Sequence, residues 1–176
     1  MRWLLRISGG LVLAALLVVV AGFFVPSSFR VERSLVISAP PQRLHELVGT
    51  PRRWAEWSIW NRRDPAMAMT YFGPESGAGA GWSWVSRTQG SGRMTFRSAD
   101  PARGFTYELF FPDYDSTSTG EIRFEPQAGG TRVTWTNVGD VGRNPLMHYM
   151  ALEMDRMVGP DFDAGLANLK VMAEKP

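Results

Sequence analysis

The feature that most constrains this chain is an uncharged, strongly apolar segment at its N-terminus. No charged residue occurs between Ile7 and Phe29. As an α-helix rising about 1.5 Å per residue, Ile7 to Val25 would be roughly 29 Å long. The hydrocarbon core of a bilayer is about 30 Å thick. The sequence therefore predicts one transmembrane anchor over residues 4–25, followed by a single globular domain over residues 29–176.

The charges that flank this segment indicate which side of the membrane the domain occupies. Arg2 and Arg6 precede the segment, so the positive-inside rule places the N-terminus in the cytoplasm. The domain of this single-pass protein would then lie on the extracytoplasmic side of the cell membrane. Arg30 and Arg33 follow the segment closely and act against this orientation.

A cleaved signal peptide is the alternative interpretation of the same segment. The residues Val-Val-Ala at 19–21 resemble a cleavage site after a basic N-terminal region. The apolar run nevertheless continues through Phe23, Phe24 and Val25 before Pro26 ends it. This continuation favours a retained anchor over cleavage.

Charge and composition exclude several classes of function. Arg2 and Arg6 account for the whole net charge of +2, so the globular part is formally neutral and does not predict a nucleic-acid partner. The absence of cysteine excludes disulfides and thiol chemistry. The only histidines, His45 and His148, are far apart, so we expect neither a metal site nor another cofactor.

The order of local patterns predicts an α+β fold. Residues 29–38 are typical of a β-strand, 41–48 of a short amphipathic helix, and 52–60 of a second short helix. Between residues 67 and 138, alternating apolar residues and regularly spaced turn residues indicate six antiparallel strands. A long amphipathic helix follows from Asn144, with a kink or break predicted at Gly159–Pro160. A strongly twisted sheet would curl around this helix.

These patterns and several short motifs resemble the SRPBCC superfamily, which includes START-like domains and polyketide cyclase/dehydrase-like proteins, and in particular its membrane-anchored bacterial members. The motifs are VERSLVISAP (31–40), RWAEWSIW (53–60), YFGPESG (71–77), GSGRMT (90–95), GGTRVTW (129–135) and DFDAGLANLK (161–170). The resemblance implies a helix-grip fold, in which a curved antiparallel sheet wraps around the long C-terminal helix. It also implies a hydrophobic cavity between the sheet and that helix.

The candidate ligand-binding residues are aromatic, aliphatic and methionine side chains on the predicted inward faces of the strands and helices. Such side chains suit a pocket for an apolar ligand that carries a few polar groups. For each residue, ordinary core packing is the alternative role. The candidates are Trp57, Trp60, Trp82, Trp84, Met94, Phe96, Tyr107, Leu109, Phe111, Trp135, Met150 and Met154.

Three functions are compatible with these features. The leading hypothesis is membrane-tethered binding of a hydrophobic small molecule or lipid. The second is a polyketide cyclase/dehydrase-like enzyme, with Tyr107, His148 or Arg93 as polar participants. The third is a structural or stress-related envelope protein that binds no small ligand. No pair of carboxylates has a spacing that identifies a general acid and base, and the sequence does not indicate the oligomeric state.

Overall fold

The computed structural model describes residues 2–175, beginning with an N-terminal helix, α1 (Arg2–Gly22). Most of the described side chains of α1 are apolar and exposed; Leu11, for example, is 67% exposed. Within residues 2–175, no helix meets the requirements of both length and apolar character for crossing a membrane. The helix predicted at the N-terminus is thus present, but the transmembrane span is not confirmed.

Seven strands form one antiparallel sheet after α1, as the alternating patterns predicted. The strands are β1 (Ser28–Ile37), β2 (Ala68–Phe72), β3 (Gly81–Val85), β4 (Ser91–Asp100), β5 (Gly104–Phe111), β6 (Ser116–Gln127) and β7 (Gly130–Asp140). Their spatial order is β1-β7-β6-β5-β4-β3-β2. Strands β2 to β7 are therefore a meander, and β1 is added beside the last strand.

Helices cover the inner face of this sheet. The helices are α2 (Pro41–Val48), the two single-turn helices α3 (Trp54–Trp57) and α4 (Trp60–Arg63), and the long α5 (Pro145–Ala173). The second short helix predicted from the sequence is thus divided, because Ser58 takes an extended conformation between α3 and α4. The architecture is the predicted helix-grip-like α+β fold.

The two ends of the sheet differ in what lies beside them. Strand β1 begins directly after α1, and its first residue, Ser28, pairs with Asp140 at the end of β7. The same end of the sheet holds Phe111, which pairs with Ser116, and Val85, which pairs with Ser91. We call this the α1 end. The opposite end, beside α2 and α3, is the far end.

Helix α5 runs without interruption through Pro160, so of the kink or break predicted at Gly159–Pro160 the break is wrong. Arg33 of β1 holds both sides of the proline, because it donates to Asp155 at 2.7 Å and to Asp163 at 3.1 Å. Gly159 makes room for this arginine: a Cβ atom there would lie 1.9 Å from the guanidinium. Interactions with β1 thus support the helix where proline removes a backbone hydrogen bond.

Candidate functional site

A cluster of rings fills the inner face toward the far end, with Trp54 at its centre. The ring of Trp54 lies 4.5–6.2 Å, centroid to centroid, from six other rings. Its indole nitrogen donates to the Val48 carbonyl at 2.7 Å. We call this cluster the aromatic core; its members are Trp54, Trp57, Trp82, Phe96, Phe105, Tyr107 and Trp135, all of which are buried. The contacts between these rings pack α3 against the inner face of the sheet.

One hydrogen-bonded group lies within the aromatic core. The Tyr107 hydroxyl accepts a hydrogen bond from the indole nitrogen of Trp135 at 2.9 Å. Burial raises the pKa of Tyr107 to about 12, against the smaller opposing effects of hydrogen bonds with Trp135 and Asn137. The ring lies across Gly120, where a Cβ atom would be 1.9 Å from it. Tyr107 is therefore a neutral phenol at ordinary pH.

Toward the α1 end, the inner face carries apolar side chains that are only half covered. Trp84 and Phe111 contact each other edge to face, with ring centroids 5.7 Å apart. Leu109, Met150 and Met154 are also partly exposed, as is Trp60, whose ring lies against those of Trp135 and Phe162. We call these six residues, Trp60, Trp84, Leu109, Phe111, Met150 and Met154, the half-buried surface. The two methionines lie in the N-terminal half of α5, which begins at the α1 end. Partly exposed, adaptable side chains of this kind can contact an apolar ligand.

A buried carboxylate holds Trp60, one residue of the half-buried surface, in place. Asp161 of α5 accepts a hydrogen bond from the Trp60 indole nitrogen at 3.1 Å and forms a two-point ion pair with Arg63. Only 7% of the Asp161 side chain is exposed. Helix α4 is thus attached to α5 by these polar contacts and by the Trp60 ring, which lies edge to face against Phe162. Helix α3 packs its tryptophan rings against the sheet.

The twelve residues predicted to line a cavity divide equally between these two environments. Six are buried in the protein core, and six form the half-buried surface. Trp54 and Phe105 were not among the candidates, although both are in the aromatic core. The position of Trp54 beside Trp57 was the available signal, but the pattern of one short helix does not show which tryptophan is central.

The polar residues suggested for an enzyme lie in different places. Arg93 is on the outer face of β4, with its guanidinium 4.3 Å from the centroid of the Phe72 ring. Tyr107 is in the aromatic core, and His148 lies near the start of α5 between two carbonyl groups. The structure does not bring the three into one site. Among residues 2–175, no cluster of histidine, aspartate and glutamate has the arrangement of a metal site.

A separate surface pocket of about 300 Å³ lies at the far end, beside the edge strand β2. Arg52 lies over the Tyr71 ring there, 4.3 Å from its centroid. The lining residues are Pro51, Arg52, Tyr71, Phe72, Gly73, Pro74, Glu75 and Gly81. The pocket is distinct from both the aromatic core and the half-buried surface.

A sheet that grips a long helix and presents aromatic side chains on its inner face defines the general class of the domain. The chain belongs to the polyketide cyclase / dehydrase and lipid transport family, whose profile matches residues 28–174. This match includes all seven strands and α5 and begins directly after the N-terminal segment. A search of curated proteins found no match.

Solved structures share this fold at low sequence identity. A protein from Chromobacterium violaceum is 16% identical, with a TM-score of 0.56, over 85% of this chain and 99% of that one. A protein from Mesorhizobium loti is 17% identical, with a TM-score of 0.59, over 81% of this chain and 95% of that one. The di-domain ARO/CYC StfQ from the steffimycin biosynthetic pathway is 13% identical, with a TM-score of 0.61, over 84% of this chain and 51% of StfQ. These similarities establish the fold alone.

Proposed function

We propose that the domain binds a hydrophobic small molecule or lipid at the half-buried surface. The observation that supports this proposal is the position of partly exposed aromatic and methionine side chains on the inner face, at the α1 end. Burying this apolar area against a ligand is favourable by about 25 cal/mol per Å². The family, which includes lipid transport in its description, is compatible with such a ligand.

Two adjacent residues of β3 provide a matched test of this proposal. Trp84 is on the inner face in the half-buried surface, whereas Val85 is on the opposite face and is 65% exposed. The full-length protein and its variants Trp84→Glu and Val85→Glu would be incubated with mixed phospholipid and fatty-acid vesicles, recovered, and examined by native mass spectrometry. Wild type and Val85→Glu should retain bound lipid, and Trp84→Glu should lose it.

Two results would count against the binding proposal. Wild-type protein that retains no lipid would favour the structural envelope role instead. Equal retention by Trp84→Glu and Val85→Glu would show that lipid binds elsewhere. Circular dichroism of both variants would establish that each is folded before the comparison is made.

We also propose that α1 attaches the domain to the cell membrane as a single-pass anchor, with the domain on the extracytoplasmic side. The proposal is supported by the uncharged stretch from Ile7 to Phe29 and by apolar side chains such as Leu11, Leu17 and Phe24, which are 60–85% exposed. Such a large exposed apolar surface is unfavourable in water. An anchor beside the half-buried surface would keep the binding region close to lipid.

Fractionation and labelling would test the anchor and the orientation separately. An anchored chain should resist carbonate extraction and dissolve in detergent, and its intact mass should include residues 1–21. A mass that begins after Ala21 would instead establish signal-peptide cleavage. Because the chain has no cysteine, a single Lys175→Cys variant can report the side of the membrane. A membrane-impermeant maleimide should label it from outside; labelling only after cell lysis would place the domain in the cytoplasm.

A further inference from the structure

The end of α1 contacts the beginning of α5 at a specific joint. The Tyr149 hydroxyl donates a hydrogen bond to the Val18 carbonyl at 2.8 Å. Gly22 comes so close to Pro145 that a Cβ atom would lie 2.4 Å from the proline carbonyl oxygen. These contacts determine how the N-terminal helix is oriented relative to the domain.

His148 lies at the centre of this joint, between two hydrogen-bond acceptors. Its Nδ1 atom is 2.8 Å from the Gly22 carbonyl oxygen, and its Nε2 atom is 2.9 Å from the Gly142 carbonyl oxygen. A carbonyl oxygen only accepts hydrogen bonds, so each ring nitrogen must carry a proton if both bonds are to form. Neutral imidazole has one N–H group, and only imidazolium has two.

Few charged or titratable groups lie around His148 in the described part of the chain, and Asp140 is the one on which the charge of His148 acts. Asp140 lies at the end of β7, and its pKa is lowered. The main cause is the hydrogen bond that Ser27 donates to it, followed by the hydrogen bond from the Gly142 amide; the charge of His148 has a smaller effect. The exposed Arg143 lies in the same connection between β7 and α5. On α5, the neighbouring titratable group is Tyr149, whose hydroxyl donates a hydrogen bond to α1. On α1, the stretch from Ile7 to Gly22 carries no charged residue.

We infer that His148 is a pH-sensitive switch that joins the N-terminal helix to the wall of the binding surface. In the protonated state, His148 holds Gly22 of α1 and Gly142 beside α5 together. After proton loss, one ring nitrogen presents a lone pair to a carbonyl oxygen, and the joint opens. Because Met150 and Met154 follow His148 on α5, opening the joint frees this wall of the half-buried surface to move. The inference rests on the proposed anchoring and binding function and adds a form of control to it.

The distance between α1 and α5 can be measured directly, because the natural chain has no cysteine. Spin labels would be attached at Val20→Cys and Leu152→Cys, both of which are exposed positions. The distance between the labels would be measured by pulsed electron–electron double resonance on the full-length protein in nanodiscs. Histidine titrates between about pH 5 and 8, so spectra would be compared at about pH 5.5 and about pH 8.5. The ratio of closed to open protein should be lower at the higher pH by about tenfold or more, because one charge-assisted hydrogen bond is lost.

The second histidine provides the matched control. Burial lowers the pKa of His45, which lies in α2 at the far end. His148→Gln should make the distance distribution independent of pH, and His45→Gln should leave the pH response unchanged. An unchanged distribution in the wild type, or a pH response that survives in His148→Gln, would overturn the inference.

Nitrogen NMR gives a second measurement that does not depend on the variant folding. With only two histidines to assign, ¹⁵N-labelled wild-type protein in nanodiscs should show two protonated ring nitrogens for His148 at mildly acidic pH. A neutral ring under those conditions would contradict the proposed switch. Both measurements report on His148 and the α1–α5 distance rather than on lipid retention, so failure of the lipid-binding test leaves them interpretable. A chain cleaved after Ala21 would be recognised from its mass.

Discussion

The aromatic core and the half-buried surface lie on the same inner face of one sheet, and they are built from similar residues. Helix α3 places Trp54 and Trp57 against the strands at the far end, and their rings exclude solvent there. In the described part of the chain, no tryptophan from a helix covers Trp84 and Phe111 in this way, and both side chains remain partly exposed. The comparison shows that residue type alone does not distinguish a wall of rings that stabilises the fold from one that can receive a ligand.

The strongest test of this distinction removes one tryptophan from each region. Trp54→Ala should lower the free energy of unfolding by about 3–5 kcal/mol, because it leaves a cavity in a fully packed core. Trp84→Ala should cost less than half as much, since its ring is already half exposed. Urea unfolding followed by circular dichroism would measure both values. Equal losses would show that the half-buried surface is an ordinary part of the core.

Two glycines on which aromatic rings lie provide a second test. An alanine Cβ atom would be 1.9 Å from the Tyr107 ring at Gly120, and 2.2 Å from the Trp84 ring at Gly92. Overpacking costs about 1–3 kcal/mol when the neighbour cannot move. Gly120→Ala should therefore destabilise the protein by about 2 kcal/mol.

Gly92→Ala should instead displace the half-exposed Trp84 ring, with less effect on stability and a larger effect on lipid binding. Thermal unfolding and native mass spectrometry would separate the two effects. A greater loss of stability from Gly92→Ala than from Gly120→Ala would contradict the assignment of the two regions.

Tyr107 allows the aromatic core to be tested by pH. Because burial raises its pKa from 10.0 to about 12, Tyr107 stabilises the fold fully below about pH 10, and this contribution is lost as the pH rises toward 12. Tyr107→Phe removes this dependence and leaves the Trp135 indole without its acceptor, at a cost of about 1 kcal/mol near neutral pH.

Unfolding of the two proteins would be compared at neutral and alkaline pH. Equal alkaline loss of stability in wild type and Tyr107→Phe would show that the phenol is not the responsible group.

Much of the architecture was predictable because local patterns specify helices and strands. The alternation in Phe105, Tyr107, Leu109 and Phe111 places these side chains on one face of a strand, as found in β5. The break expected at Pro160 was wrong because proline removes one hydrogen bond locally, whereas Arg33, distant in sequence, supports the helix with two ion pairs. Local patterns contain no information about such a partner.

By itself, the sequence determined the order of the elements, the inward side of each strand, and the apolar character of the N-terminal helix. Each depends on residues that are neighbours along the chain. Only the tertiary structure decided that Trp54 is central, that Trp84 remains half exposed, and that His148 lies between Gly22 and Gly142. Burial and hydrogen bonding depend on atoms supplied by distant segments, and those segments meet only after the chain has folded.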